Sequence, residues 1–416
     1  MSGNKQRGVK FNHASIKNKV KQRRFKMSIL IGIIGVLVVL AVAFLMSNDK
    51  KNINYKGIGI MLVIQVAITA FMLNTSIGGK VLQGITNVFT KVLSFGNDGI
   101  SFVFGDLSGK GLFFVDTLMM IVFVSALLAI LNYIRVLPLA IKYIGGLVSK
   151  ITGLPKIESF TAVNSMIFGD TTALISVKDH LGKLDGNRLF VVTTTSLVSV
   201  SCSILGAYMQ MVPPEFVLIA LPLNVFSGLI VSSMVAPVKK SAIEEDIKVE
   251  VKEKNFFEAV GNGALDGGKI ALIVGAMLIT YIGLLALVNF VLSSTIGLTA
   301  QEILGYVFYP IAFIMGVPHA DLLNAGSVMG TKVMANEFVA MMDFMKLMPH
   351  MSHKAIGIVS AFLISFANFS SIGIILGCVQ AINGEKAKEV AGFGLKMLLV
   401  ATMGSILTAT MVGLFL

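Results

Sequence analysis

The sequence predicts an all-α integral membrane protein with about eight transmembrane helices plus two re-entrant helical hairpins. Three observations carry that expectation. Of the 416 residues, 55% are hydrophobic and 13% charged, with a mean hydropathy of +0.84, so water is not the solvent for most of the surface. Several apolar runs reach the roughly 20 residues that a helix needs to cross a hydrocarbon core of about 30 Å. Two more apolar segments are cut by Gly, Pro and acidic residues and make poor simple spans.

Simple spans read at about 28–46, 57–73, 112–134, 188–211, 215–236, 270–292, 352–378 and 396–415, and the interrupted segments at about 156–182 and 316–345. Cys202 and Cys378, the two cysteines, fall inside predicted spans. There a thiol behaves as a small hydrophobe, and no disulfide framework is implied.

The net charge is +12, and residues 1–26 hold nine Lys or Arg and no acid. This basic tail carries no base-reading element, which argues against a nucleic-acid partner; a segment on the lipid headgroups fits it better. The following apolar run, ending Ala41-Val42-Ala43, is long for a signal peptide and reads as an uncleaved first span. Lys and Arg accumulate in alternate connections: Lys50 to Lys56, Arg135 to Lys156, Lys178 to Arg188, Lys239 and Lys240, Lys386 and Lys388. Those are expected to be cytoplasmic, and the 211–215 and 293–318 connections external. Counting spans then puts both chain ends outside, against the basic tail. A start at Met27 resolves the conflict, leaving the tail untranslated; otherwise the tail is expected to be disordered.

Mixed-charge residues 237–269 read as a solvated cytoplasmic loop between two halves. The halves resemble each other at an offset of 163 residues: Gly153-Leu-Pro155 matches Gly316-Val-Pro318, and Met166 matches Met329. Each copy has an interrupted segment followed by a span broken by small polar residues: Ser199, Ser201 and Ser203, then Ser365, Asn368, Ser370 and Ser371. Two discontinuous helices in corresponding positions point to a transporter site at the bilayer midplane.

A charge near the centre of a membrane helix costs at least about 2.5–3.5 kcal/mol, so Asp116, Glu158, Asp170, Lys332, Glu337 and Asp343 each need a reason. Asp116, Glu158 and Asp343 read as structural, through capping, ion pairing or contact with water. Asp170 and Glu337 sit mid-segment, where a hairpin tip leaves backbone donors and acceptors that a polar ligand would satisfy. Asn368 and the neighbouring serines add donors and acceptors, beside an aromatic ring able to pack on a sugar or base; for Ser365 and Ser370, helix-packing glue is an equal reading. No catalytic constellation, metal-ligand spacing of the histidines or phosphate loop is present. A non-enzyme with no cofactor is expected, driven by an ion gradient.

Five stretches together resemble the bacterial concentrative nucleoside transporter family: GNDGISFVFG at 96–105, YIRVLPLAIKYIG at 133–145, LPKIESFTAVNSMIFG at 154–169, GTKVMANEFVAMMD at 330–343 and SFANFSSIGI at 365–374. The resemblance runs from about Met27 to the C-terminus. It implies a homotrimer in the bacterial cytoplasmic membrane, built on an internal inverted repeat and working as an elevator-type transporter. Scaffold helices and an interfacial helix would occupy 27–134 and a further scaffold helix 270–292. The transport domain would comprise 135–236, with hairpin 156–182 and broken helix 188–211, and 293–416, with hairpin 316–345 and broken helix 352–378.

The resemblance implies ribose contacts from Glu337, Phe366, Asn368 and Ser371, all matching the family's motif. The base would meet Gly169, Asp170, Thr171 and Thr172, where the family usually has Gly-Gln-Thr/Ser-Glu. An ionised Asp170 accepts but cannot donate, which suits an edge with adjacent donors, as on guanine, and gives a preference for purine nucleosides. A protonated Asp170 would instead behave like the lost amide. Sodium-coupled members bind their ion with an Asn and neighbouring oxygens; the matching positions are Ser165, Phe168 and Ser203, and Ser165 replaces the Asn. Proton coupling through Glu337 or Asp170 is therefore preferred over sodium coupling with broad or pyrimidine specificity. A passive channel and a non-transporting sensor are the readings from other classes, and the altered first hairpin leaves room for a transport-dead variant.

Overall fold

The computed structural model describes residues 29–239 and 253–416. The basic tail, the Met27 start and part of the 237–269 loop lie outside them. Every regular element among the described residues is helical.

The N-terminal portion comprises α1 (Ile29–Met46), α2 (Tyr55–Asn74), α3 (Ser76–Phe104) and α4 (Phe114–Tyr133). Helix α3 is 29 residues long and buries only a stripe, Gly78, Leu82, Leu93, Gly96 and Ile100, the spacing of an amphipathic helix. Next come α5 (Val136–Thr152), α6 (Lys156–Phe168), α7 (Asp170–Ser176), α8 (Lys178–Leu181), α9 (Gly186–Val198), α10 (Leu205–Met211) and α11 (Pro214–Val235). The last group is α12 (Phe256–Ile296), α13 (Ala300–Ile314), α14 (Leu322–Met334), α15 (Glu337–Leu347), α16 (His353–Leu363), α17 (Phe369–Ile382) and α18 (Gly384–Leu414).

Among the described residues, seven helices are long and apolar enough to cross a membrane, against about eight expected. The difference is the predicted span 352–378, which is split between α16 and α17. Three stretches read as connections are largely helical. Residues 136–152 form α5, whose Lys142 and Lys150 dilute its hydropathy. Residues 300–314 form α13, which at 15 residues is short for a span. Residues 256–269 are the first turns of α12, whose 41 residues run to roughly 60 Å, about twice a hydrocarbon core. Glu258, Asp266 and Lys269 therefore sit on helix beyond the apolar part.

Burial separates an inner group of helices from an outer one. In α9–α10, 94% of the most apolar stretch is buried, in α18 89% and in α11 83%; in α12 the share is 11%. The inner helices tolerate buried hydroxyls because Thr193, Ser196, Ser232, Thr402 and Thr410 each donate to a carbonyl one turn back in their own helix.

The two copies seen in the sequence share a structural device. Gly153 (φ 73°) and Gly316 (φ 87°) follow α5 and α13 in the left-handed region, and Pro155 and Pro318 lead toward the next helix. Glycine carries no Cβ penalty there. The three charges read as structural have partners. Glu158, fully buried, takes Arg188 Nε at 2.6 Å and Nη2 at 3.0 Å. Asp116 accepts from the amides of Gly109 and Gly111 at 2.7 and 2.8 Å, and Asp343 pairs with Lys346 at 3.3 Å.

Where α12 crosses α4, a Cβ on Gly267 would lie 2.7 Å from Val122 Cα and 2.8 Å from the Ile121 carbonyl, whereas one on Gly268 would meet nothing within 4 Å. Gly267→Leu must therefore push two backbones apart, at a cost of about 1–3 kcal/mol for overpacking. In detergent melts its unfolding temperature is expected to fall clearly, with Gly268→Leu unchanged; equal melting of the two would remove this contact from the account.

Candidate functional site

Four places where helices stop inside the bundle meet one another. Two are tips, between α6 and α7 at Gly169 and between α14 and α15 at Ala335–Asn336. Two are breaks, between α9 and α10 around Ser199–Ser201 and between α16 and α17 at 364–368.

At the first tip Gly169 has φ 85°, and its amide donates to Ser165 O at 2.9 Å, closing α6. A Cβ there would lie 3.1 Å from Ser201 Cβ and 3.8 Å from the Phe366 ring, so both breaks press on this glycine. Asp170 starts α7 and is 7% exposed; its Oδ1 accepts from Thr171 N at 2.7 Å, and the helix N-terminus favours its negative charge. Thr171 is half-buried and Thr172 exposed.

At the second tip, Asn336 caps α15 by accepting from Val339 N at 2.9 Å, which puts Glu337 in the first turn. Glu337 is 5% exposed. Its Oε1 accepts from the Tyr208 hydroxyl at 2.8 Å and its Oε2 from Asn368 Nδ2 at 2.9 Å. Tyr208 belongs to α10 and Asn368 to the second break, so this carboxylate ties three elements together. Each oxygen keeps accepting capacity, because a carboxylate offers about four lone-pair positions.

Asn368 does two jobs that need an amide. Its Oδ1 accepts from Ser371 N at 2.9 Å, capping α17, and from the Ser370 hydroxyl at 2.7 Å, while its Nδ2 serves Glu337. A carboxylate at this position would have no donor for Glu337. Ser371 is buried in the first turn of α17, and Phe366 N reaches across to Ser199 O at 3.2 Å, joining the two breaks.

Of the positions matched to a sodium cage, Ser165 is fully buried, and its hydroxyl reaches Thr161 O at 2.7 Å and Ser196 Oγ at 3.0 Å. Phe168 ends α6, and the Ser203 hydroxyl is 2.7 Å from that of Ser201. Hydroxyl and backbone oxygens of this kind are the ligands a hard cation takes, although Ser165 reaches less far than an amide. No three His, Cys, Asp or Glu side chains gather as a metal site among the described residues.

The sequence reading left two participants without a role. Tyr208 stands in an apolar span with nothing to mark it, because only the fold brings it to Glu337. Lys332, noted only as a charge, is fully buried with its Nζ 2.6 Å from Ser365 Oγ, 3.4 Å from Ser405 Oγ and 4.6 Å from the Phe362 ring centre.

Comparison with known proteins agrees over most of the chain. Residues 216–413 match the family described as the C-terminus of Na+ dependent nucleoside transporters, 34–107 its N-terminus, and 114–215 a region described as nucleoside recognition. The chain is 36% identical to the purine nucleoside transport protein NupG of Bacillus subtilis, over 94% of this chain and all of that protein. It is 31% identical to the nucleoside permease NupC of Helicobacter pylori, over 94% of this chain and 98% of that one. The structure of CNTnw in an inward-facing substrate-bound state superposes with a TM-score of 0.89 at 33% identity, covering 94% of this chain and 98% of that one. The chain is therefore a multi-pass protein of the bacterial cell membrane and belongs to the concentrative nucleoside transporter family.

Proposed function

We propose that this protein takes up nucleosides by symport with a cation, with the ribose held by Glu337, Phe366, Asn368 and Ser371 and the base facing Gly169, Asp170, Thr171 and Thr172. The observation that carries the reading is the Glu337 carboxylate. It is buried where two tips and two breaks meet, is oriented by Tyr208 and Asn368, and has acceptor capacity to spare. Vicinal hydroxyls fit such an acceptor, one to each oxygen, beside the Phe366 ring.

Proton coupling is the reading we favour, carried by Glu337 or Asp170, with purine nucleosides preferred. The short reach of Ser165 supports the first part, and the name of the 36% identical relative, a purine nucleoside transport protein, supports the second. Sodium coupling is the second reading, favoured by the description of the matching family as Na+ dependent and by the oxygens of Ser165, Phe168 and Ser203. The division between buried inner helices and exposed outer ones suits a homotrimer of scaffolds around mobile transport domains. In that arrangement α6–α7 and α14–α15 are re-entrant hairpins of an inverted repeat, and transport is an elevator movement.

Uptake of radiolabelled nucleosides into proteoliposomes under separately imposed proton and sodium gradients tests the reading. Wild type is expected to accumulate purine nucleosides when a gradient is imposed, and Glu337→Gln to lose accumulation. A 2′- or 3′-deoxynucleoside forfeits one charge-assisted hydrogen bond of about 1.5–3 kcal/mol, so its affinity should fall at least tenfold. No uptake of any nucleoside by well-folded protein, or equal uptake by the variant, would end the proposal. In the same assay Ser165→Asn, which lengthens the reach of this oxygen, is expected to make uptake respond to sodium. Unchanged sodium response would remove Ser165 from the argument about the ion.

A further inference from the structure

Lys332 needs an explanation that the substrate site does not provide. Its side chain is fully buried, and among the described residues its hydrogen-bond partners are two hydroxyls; no carboxylate makes a salt bridge with it. Burying an ammonium costs several kcal/mol unless something nearby compensates. Ser365 and Ser405, themselves 2.6 Å apart, supply two dipoles, and the Glu337 carboxylate adds a favourable charge interaction without a direct ion pair.

The remainder comes from where the ammonium sits. Helix α16 ends at Leu363, and α17 begins after the Asn368 cap. The last turn of α16 carries the partial negative charge of its carbonyls, and the first turn of α17 the partial positive charge of its amides. Lys332 lies against Phe362 and Ser365 at the α16 end, and Glu337 bonds Asn368 at the α17 end. Both charges come from one helical hairpin, five residues apart. The second break is therefore gripped between a cation at its negative end and an anion at its positive end.

In transporters built on broken helices, the carbonyl end of a half-helix is where a mobile coupling cation binds. We propose that Lys332 is a tethered cation filling that place, so that the second repeat binds no metal cation of its own and its ammonium helps to hold Glu337 and Asn368 in register. A coupling metal ion, if one is used, then belongs to the first repeat with the Ser165 region, while a coupling proton is carried by Glu337 or Asp170 as above. Lys332 touches no substrate atom; it is a positioning residue that acts through Ser365 and the break. The binding half of the test rests on the ribose reading above, and the stability half does not.

The test uses the detergent-purified full chain, with guanosine binding and thermal unfolding measured side by side. Lys332→Met keeps the apolar stem and removes the charge. It is expected to melt at lower temperature and bind guanosine at least about tenfold more weakly, as loss of one charge-assisted contact implies. Lys332→Ala leaves a cavity shaped for propylammonium, which should restore both properties, while 1-propanol, equal in size and neutral, should not. Wild-type behaviour of Lys332→Met, or equal rescue by propanol, would show that packing alone is at work and overturn the proposal. Should Lys332→Met fail to fold, Ser365→Ala keeps the lysine and removes its nearest hydroxyl. Weaker guanosine binding in that variant supports the proposal, provided Ser360→Ala, a buried hydroxyl of α16 with no hydrogen-bond partner among the described residues, binds normally; equal binding by the two overturns it. If wild type binds no guanosine, the ribose reading fails, and the melting of the Lys332 variants with and without propylammonium still decides the tethered cation.

Discussion

The structure depends on one constraint: a helix that stops inside an apolar interior leaves amides and carbonyls that must find partners. Four helix ends do so here, and they largely satisfy one another. Phe366 N donates to Ser199 O, joining the two breaks. Asn224 Nδ2 donates to Ile364 O at the end of α16. The Cys202 and Cys378 thiols reach Met166 O and Thr171 O on the first hairpin, and Asn336 and Asn368 cap the helices that restart. Because each end needs the others, tips and breaks converge. What is left over after convergence, the spare lone pairs of Glu337 and the polar groups of the first tip, is the surface proposed above for the ligand.

The same constraint accounts for the inner helices. The second polar layer around the breaks is built of hydroxyls and amides whose donors find partners nearby: Ser227 accepts from Gln65 and Thr408, Thr195 meets Ser232, and Gln65 also reaches the Leu223 carbonyl. Glycine appears where these helices touch, as at Gly404 against Val198 and Gly228 against Thr195. Small residues and self-satisfied hydroxyls let α9, α11 and α18 approach closely without a driving force from water. That packed centre carries Tyr208 and the breaks, and the carboxylate of α15 lies against Tyr208 and Asn368.

How much of this was legible in the sequence follows from which signals are local. The Gly-x-Pro pairs at 153 and 316, the acidic residues inside apolar segments and Asn368 among serines were visible because a helix interruption needs particular residues at the interruption itself. The helices 136–152, 256–269 and 300–314 were read as connections. Hydropathy measures contact with lipid, whereas α5 carries two lysines, α12 runs past the membrane and α13 is short and packs on α14. Tyr208 was silent for a different reason: its role is a bond to a residue 129 positions away, and nothing near it in sequence hints at that. Lys332 is visible as a charge, but its hydrogen-bond partners, Ser365 and Ser405, lie 33 and 73 positions away.

The two hairpins share an architecture and differ in what their acids are bonded to. Asp170 accepts from backbone amides at the start of its own helix, and Thr172 is exposed. Glu337 is held from two other elements. A change of the Asp170 side chain at the first tip therefore breaks no side-chain hydrogen bond between helices among the described residues, while a change at Glu337 or Asn368 breaks the joint that positions a break. The same geometry that fixes one half of the site leaves the other half free to vary in chemistry. A departure such as Asp170-Thr171-Thr172 is thus compatible with an unchanged fold and with unchanged bonds from Tyr208 and Asn368 to Glu337.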